Sequence, residues 1–586
     1  MKRLFLILSM TIFLGWYAYA DSISIPLSFS EYYSPERVEA ALKALNRHYP
    51  GLTRLDLVGK SDEGRSIYAL TVNNPKSGPE LEKPGIYVDG NIHGNEIQAA
   101  EVCLYLLDYL LFNYESNDEI KKMVDRVVFY VVPVVNVDGR HHFFHGPASP
   151  NSNRSLRIPR DDDNDGLINE DFPEDLDGDG NITQMRIADP FGAYRSHPED
   201  SRLMVRVKPG EPGEWTLLGT EGIDNDGDGR INEDAEGYVD GNRNWGFDWM
   251  PDYVQRGAGD FPFQGVGLKS LAAYIRARPN IIVSWAFHNY GGMFLRGPST
   301  KAQGEYHPAD VAVYDFLGLQ AERITPGYRY LISWKDLYTT YGDFGEWMAM
   351  LNGSFNFVGE LFMSEQETFR TVREEERRQR EKMAREEDAR AGIFDGGNEL
   401  ERLQFSDHLT LGELYKPWKA FKHPQFGDIE IGGWVKMSTR LPAPFMLKDL
   451  VHRNAMAVVF SARQAPQVTM EVLETKKIAR NLHRVRVRLV NAHAIPTMSQ
   501  HAQKVKLYPR DQVVATGRGL RVLAGGTLIN SLTDEVRYKE HRPELQFLAV
   551  PGFGKVDLQF LVSGKGDLEL TYKSRHAGNK RTTVKL

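Results

Sequence analysis

The chain reads as an α/β protein with a mixed, mostly parallel central sheet flanked by helices, followed by a smaller all-β domain. Three observations predict this. The apolar runs at Gly85–Asp89, Val127–Val135 and Ile281–Phe287 are continuous rather than alternating, the pattern of strands covered on both faces. Helical periodicity fills the intervals, so strand and helix alternate along the chain. From Gln467 onward the texture changes: VTMEVLE, HRVRVRLVN, KVKLYP, VDLQFLV and DLELTYK alternate apolar and polar residues between turns, as antiparallel strands with one wet face do. At 586 residues the chain exceeds what one compact core usually supports, so at least two domains are expected.

The elements follow in order. Lys2 and Arg3 precede an apolar run from Leu4 to about Leu14, and Ala18-Tyr19-Ala20 gives the small-x-small cleavage pattern before Asp21. Residues 1–20 are expected to be a signal peptide, because the run is shorter than the roughly 20 residues that span a bilayer. A secreted or periplasmic protein with no stable membrane span after cleavage follows from that. Pro35–Tyr49 patterns as an amphipathic helix, Leu52–Asn74 as strands broken by the turn Ser61-Asp62-Glu63-Gly64, and Glu96–Phe112 as a helix. Cys103, the only cysteine, sits in VCLYLLDYLL with Ala100, Leu104 and Leu107 at helical spacing. It is expected to be a small buried hydrophobe, and no internal disulfide can form. A last helix runs from Leu447 to about Arg463, and the boundary falls near Ala465-Pro466. The expected division is a main domain at 27–463 and a β-sandwich-like domain at 466–586.

Two insertions interrupt the main domain. One, 160–240, is dominated by acid-glycine runs; the other, 365–440, opens with a charge-dense helix carrying Glu374/Arg378, Glu376/Arg380 and Glu381/Arg385 at i,i+4 spacing. Apolar content of 41% and charged content of 26% are those of a soluble globular protein. A net charge of -8 argues against nucleic acid as the main partner.

Within the first insertion three segments read D-x-D-x-D-G-x-I: Asp161, Asp163, Asp165; Asp175, Asp177, Asp179; and Asp224, Asp226, Asp228. Each has its turn glycine at position six, at Gly166, Gly180 and Gly229. This matches most of an EF-hand-type loop, in which hard oxygen ligands wrap one calcium ion. The match fails at position twelve, where Phe172, Arg186 and Ala235 replace the bidentate glutamate, although Glu170, Asp171, Glu233 and Asp234 are near enough to substitute. Uncompensated carboxylates in this number would repel, so structural calcium is expected.

The strongest local chemistry is GNIHGNEIQAAE at Gly90–Glu101. His93 and Glu96, between a strand and an apolar helix, are spaced to ligate one zinc ion from the same side of a helical turn. A His-x-x-E pair is common by chance. Downstream, however, come VVNVDG at Val134–Gly139, GNRNWGFDW at Gly241–Trp249, SWAFHNYGG at Ser284–Gly292 and FNFVGEL at Phe355–Leu361. With these motifs in this order, and HYPGLTRLDLVGKSDEGRSIY at their head, the chain from about Ser28 to Arg463 resembles the zinc carboxypeptidases of the carboxypeptidase A family.

The resemblance implies one catalytic zinc held by His93, Glu96 and His288, with a fourth position left open for water. It implies Glu360 as general base, Asn242 and Arg243 as the clamp on the substrate's terminal carboxylate, and Tyr338 as the mobile tyrosine, with Tyr341 as fallback. It nominates Arg157 in the NRSLR segment as the oxyanion arginine, with Arg154 and Arg160 as alternatives. Asn95 between the first two ligands, the C-terminal β-domain and the lack of room for a usual pro-segment resemble the regulatory branch, which favours basic C-terminal residues. The specificity position falls at Gly345, with Asp343 and Glu346 nearby. The implied function is a metallocarboxypeptidase acting on peptide or protein C-termini, with the partner of the β-domain unknown. Two rivals stay open: the same scaffold acting on peptidoglycan stem peptides or as a deacylase, and a non-catalytic, calcium-stabilised binding protein.

Overall fold

The computed structural model describes residues 23–161, 166–362 and 396–586. The expected leader, Asp163, Asp165 and the charge-dense stretch 365–390 lie outside the described residues.

In chain order, β1 (Thr53–Lys60), β2 (Ser66–Val72), β3 (Gly85–Gly90) and β4 (Val128–Val132) come first. The first insertion supplies β5 (Gln184–Ala188), β6 (Tyr194–Ser196), β7 (Met204–Arg206) and β8 (Trp215–Thr220). Then come β9 (Ile281–Asn289), β10 (Met293–Arg296), β11 (Arg329–Ile332) and β12 (Phe355–Leu361), and the second insertion ends in β13 (Tyr415–His423) and β14 (Gly427–Trp434).

The central sheet has the order β1-β2-β4-β3-β9-β12-β10-β11. Its middle, β4, β3, β9 and β12, is parallel, and β1, β2 and β10 bring antiparallel pairings to the flanks. Every residue of β3, β4 and β9 is buried, which is why their sequences are unbroken apolar runs. Around the sheet lie α1 (Pro35–His48), α2 (Gln98–Asn113), α3 (Asp118–Arg126), α4 (Val137–His145), α5 (Val266–Arg276), α6 (Pro308–Ile324) and α8 (Pro444–Arg463), while α7 (Gly396–Leu409) packs against the insertion strands near β7. Helix α8 packs between α2 and α6, while α5 covers β1. Cys103 is fully buried on α2, and burial pushes its thiol up.

The two insertions do not stand apart from each other. Their strands form one antiparallel sheet in the order β13-β14-β5-β8-β6-β7, with Arg186 on β5 held by Glu430 on β14 at 2.6 Å. Each insertion supplies only part of this sheet, and the strands of the first are too short to stand out against its acid-glycine runs. The position-six glycines Gly166, Gly180 and Gly229 have φ of 97°, 85° and 96°, a conformation that penalises any side chain.

The strands between Val468 and Lys585 form a five-stranded and a four-stranded antiparallel sheet. They enclose a core of their own, including Val487, Val513, Phe560 and Leu570. Arg126 holds the end of α8 just before this part through the carbonyls of Ala462, Arg463 and Ala465, and Asp310 ties this part to the rest by accepting the N–H groups of Gln500 and His501 at 2.8 and 2.9 Å. Among the described residues no helix is long and apolar enough to cross a membrane.

Candidate active site

The site forms where the neighbouring strands β3, β9 and β12 end. His288 on β9 and Glu360 on β12 are register partners across parallel strands, so both side chains leave the same face of the sheet. Strand β3 stops at Gly90, and a tight turn returns the chain to α2. Asn91 shapes that turn at φ 57°, donating to the carbonyls of His93 at 2.6 Å and Gly94 at 3.0 Å. A Cβ on Gly94 would lie 2.3 Å from the carbonyl oxygen of Asn153, and its N–H donates to Arg154 O at 3.2 Å. Glycine here lets the turn press directly on the segment that carries Arg154.

Behind the turn sits Arg140, fully buried on α4, which donates to Asn91 Oδ1 at 2.9 Å, Ile97 O at 2.8 Å and Glu101 Oε1 at 2.8 Å. Burial pushes Glu101 up to about 7, with Arg140 pulling the other way.

His93, Glu96 and His288 converge. His93 Nδ1 lies 3.0 Å from Glu96 Oε1, His288 Nδ1 lies 3.0 Å from Glu96 Oε2, and the two ring nitrogens are 3.2 Å apart. All three are at most 2% exposed. Two imidazole nitrogens facing each other that closely have no room for a proton on both, whereas one cation satisfies both lone pairs and the carboxylate. Two imidazoles and a carboxylate are a donor set that zinc takes, and the residues present fit it. Burial would raise Glu96, yet His93 and His288 hold it well below the usual carboxylate range.

The far nitrogen of His93, Nε2, lies 2.9 Å from Asp240 Oδ1, which fixes the ring's orientation. Asp240 also accepts Asn242 N–H at 2.7 Å and Arg154 Nη2 at 3.3 Å. Against the effect of burial, His93, Arg154 and Arg243 hold Asp240 well below the usual range. Arg154 spans the cluster, because its Nη1 donates to Glu96 Oε1 at 3.0 Å. Among the described residues no group donates a hydrogen bond to the Glu360 carboxyl. Burial pushes it up to about 7, with His288 opposing and Glu96 adding to the rise.

Arg243 is 8% exposed, and among the described residues its guanidinium makes one hydrogen bond, to Asn242 O at 2.7 Å, so its outer N–H groups are available. Asn242 Oδ1 accepts Phe344 N–H at 2.9 Å. Tyr338 is 53% exposed and lies near Arg154.

Residues 38–204 match the family model described as zinc carboxypeptidase, and 467–585 match a domain of unknown function. Over those residues, 38–204, the chain is similar to the zinc carboxypeptidase family. Carboxypeptidase D of Rattus norvegicus is 32% identical over 153 residues, covering 26% of this chain and 11% of that protein. Carboxypeptidase M of Mus musculus is 29% identical over 154 residues, covering 26% of this chain and 33% of that one. The chain thus spans a minor part of the curated relatives it matches. Among solved structures, carboxypeptidase A from Helicoverpa armigera aligns at a TM-score of 0.40 and 20% identity, over 66% of this chain and 81% of the other. Bovine thrombin-activatable fibrinolysis inhibitor aligns at 0.39 and 16% identity, over 58% and 92%. The family match includes His93, Glu96 and Arg154 and ends before His288 and Glu360.

Within the matched residues, the geometry separates the three candidate arginines. Arg157 turns away, donating to Glu63 Oε1 and Asn153 Oδ1, both at 3.0 Å, and Arg160 faces Asp252 at 3.4 Å. Arg154 is the one beside Glu96. The longer connection after Gly139 shifts the register on which the nomination of Arg157 depended. Asp343 caps the short helix Phe344–Trp347 through Glu346 N–H at 2.9 Å. Glu346 accepts Tyr306 Oη at 2.5 Å, and burial together with the Asp343 charge pushes it up to about 8.

Of the acidic loops, Asp175, Asp177 and Asp179 converge, with Lys416 at 3.0 Å from Asp179 and Lys419 at 3.6 Å from Asp177. Asp224 and Asp226 converge with Asp171, while Asp228 faces Arg230 at 3.9 Å. Asp161 accepts Gly166 N–H at 3.1 Å.

Sequence reasoning missed Arg440. It follows β14 and reaches the centre, with Nη2 3.0 Å from Asn289 O and 3.6 Å from Glu96 Oε1, and its carbonyl accepts Gln98 and Asn289 side chains. No local motif marks it, because it arrives from the end of the second insertion. Asp240 was visible only as the end of the first one, although its place two residues before Asn242 was a usable signal.

Proposed function

We propose that this protein is an exported zinc-dependent metallocarboxypeptidase that hydrolyses the last bond of peptides or proteins. The observation that carries the reading is the register pairing of His288 with Glu360, which sets a carboxyl free of protein donors beside the His–Glu–His set. His93, Glu96 and His288 would hold the ion. When bound, zinc supplies Lewis-acid polarisation and water activation at neutral pH.

Glu360 takes a proton from the attacking water and delivers it to the leaving amine, for which a carboxyl raised by burial is suited. Arg154 donates to the carbonyl oxygen as negative charge develops there. Asn242 and Arg243 receive the terminal carboxylate, since a planar guanidinium binds both oxygens. Tyr338, exposed at the mouth, closes over the bound chain end. Asp343 lies near Arg243 and Glu346 near Asp343, burial pushes both carboxyls up, and a basic side chain entering there would add counter-charge. Substrates ending in Lys or Arg are therefore preferred, and kcat/KM for a C-terminal Lys peptide should exceed that for its Phe counterpart. Calcium in the acidic loops belongs to the same reading.

Replacing the base tests it. Glu360→Gln should keep one zinc per chain while hydrolysis falls by about 10²–10⁴-fold. Near-normal turnover would refute the assignment.

A further inference from the structure

The first and third acidic loops share more than their aspartates. Asp161–Asp171 and Asp224–Asp234 both end in I-N-E-D, which the second loop lacks. In the fold these two loops lie against each other. Glu170 N–H donates to Asp234 Oδ2 at 2.9 Å, Asp234 N–H to Asp171 O at 3.2 Å, and Asn225 Nδ2 to Asp171 Oδ1 at 3.2 Å.

The end of the first loop is thereby carried into the third, where oxygens of Asp171, Asp224 and Asp226 lie within 4.8 Å of one another. Asp171 is 3% exposed, and its Oδ2 is buried with no hydrogen-bond donor. The Glu233 carboxyl lies against it, and both Glu233 oxygens are buried without a donor. Among the described residues no lysine or arginine pairs with these four acids, unlike the second loop with Lys416 and Lys419. Buried carboxylates without donors or counter-charge are costly, and a cation among them removes the cost. Four carboxylates from flexible turns make an all-oxygen set of the kind calcium takes.

We infer that Asp171, Asp224, Asp226 and Glu233 form one calcium site shared by two loops, and that this ion fixes the arm anchoring the substrate's carboxylate. The chain path makes the connection. From the paired loops, 153–160 and 234–243 run side by side toward the zinc ligands. Leu156 N–H donates to Val239 O at 2.8 Å, Tyr238 N–H to Ile158 O at 3.4 Å, and Asn153 N–H to Glu236 Oε2 at 3.1 Å. Gly237 packs on Leu156 O, where a Cβ would come within 2.3 Å. The near end of this ladder carries Arg154, Asp240, Asn242 and Arg243; the far end is the acidic cluster. Without the ion, charge repulsion opens the far end and the ladder frays toward the clamp. The catalytic half of this inference rests on the peptidase reading, whereas the calcium site does not.

The test uses full-length, zinc-loaded protein freed of calcium on a chelating resin and titrated with CaCl2. Asp171→Asn should bind one calcium fewer per chain than the unaltered protein, with zinc content unchanged. Asp226→Asn, at an exposed position, should do the same and guards against misfolding of the first variant. Withholding calcium should raise KM for a peptide with a free C-terminal carboxylate by about 5-fold or more. Hydrogen exchange of 236–243 in Glu360→Gln should slow on adding calcium, a readout that needs no turnover. Equal calcium counts in the unaltered and both variant proteins overturn the site. One fewer calcium with unchanged KM and exchange overturns the link to the clamp. If no peptide is cleaved under any condition, the peptidase reading fails, and the calcium count and exchange still decide this one.

Discussion

The His–Glu–His cluster and the acidic loops both gather ligand side chains, but one is built on strand ends and the other on turns. His288 and Glu360 are set by sheet register, and His93 is held from behind by Asp240, so these groups converge through hydrogen bonds of the frame itself. Asp171 and Asp224 are brought together by loops whose own carboxylates oppose the approach. The first arrangement is preorganised for an ion; the second, under the calcium proposal, would depend on one for order.

Four substitutions and one pH profile probe that contrast. The largest effect is expected from Arg154→Ala, which removes the donor beside Glu96 and should lower kcat by about 10²–10³-fold with zinc retained. Arg157→Ala should leave kcat close to normal, and equal losses in the two variants would break the geometric distinction between them. Asp240→Asn weakens the hold on His93 without touching the sheet, and zinc affinity should drop by about 10–100-fold in a competitive chelation assay. An unchanged affinity would mean that the strands alone suffice.

The pH profile sharpens the comparison further. Because burial lifts Glu360 above the ordinary 4.5, the base is lost to protonation as pH falls, and the acid limb of kcat/KM should lie above that value. A limb at or below it would mean that Glu360 is not the base. The smallest effect belongs to the second acidic loop, where Lys416 already neutralises Asp179 at a surface pair. Lys416→Ala should cost no more than about 1 kcal/mol in denaturant unfolding.

How much was legible in the sequence depended on distance along the chain. The parallel centre of the sheet was readable because β3, β4 and β9 announce themselves as short uninterrupted apolar runs. His93 and Glu96 are three apart in one turn, and His288 and Glu360 sit at strand ends, so local pattern nominated the residues that the fold gathers. Arg154 against Arg157 was not decidable by spacing, since the connection after Gly139 is lengthened and a shift of one turn changes which guanidinium faces inward. Arg440 and the pairing of β5 with β14 were invisible for a different reason. Both are contacts between segments separated in sequence by several strands of the central sheet, and neither partner alone carries a pattern that requires the other.

That last pairing bears on how this protein can be cut or grafted. Strands β13 and β14 leave one insertion to close the edge offered by β5 from the other. Deleting either excursion alone would strand a row of unpaired backbone groups, an invitation to dimerise or aggregate through the open edge. The two excursions therefore behave as a single appendage, to be removed, transplanted or inherited together.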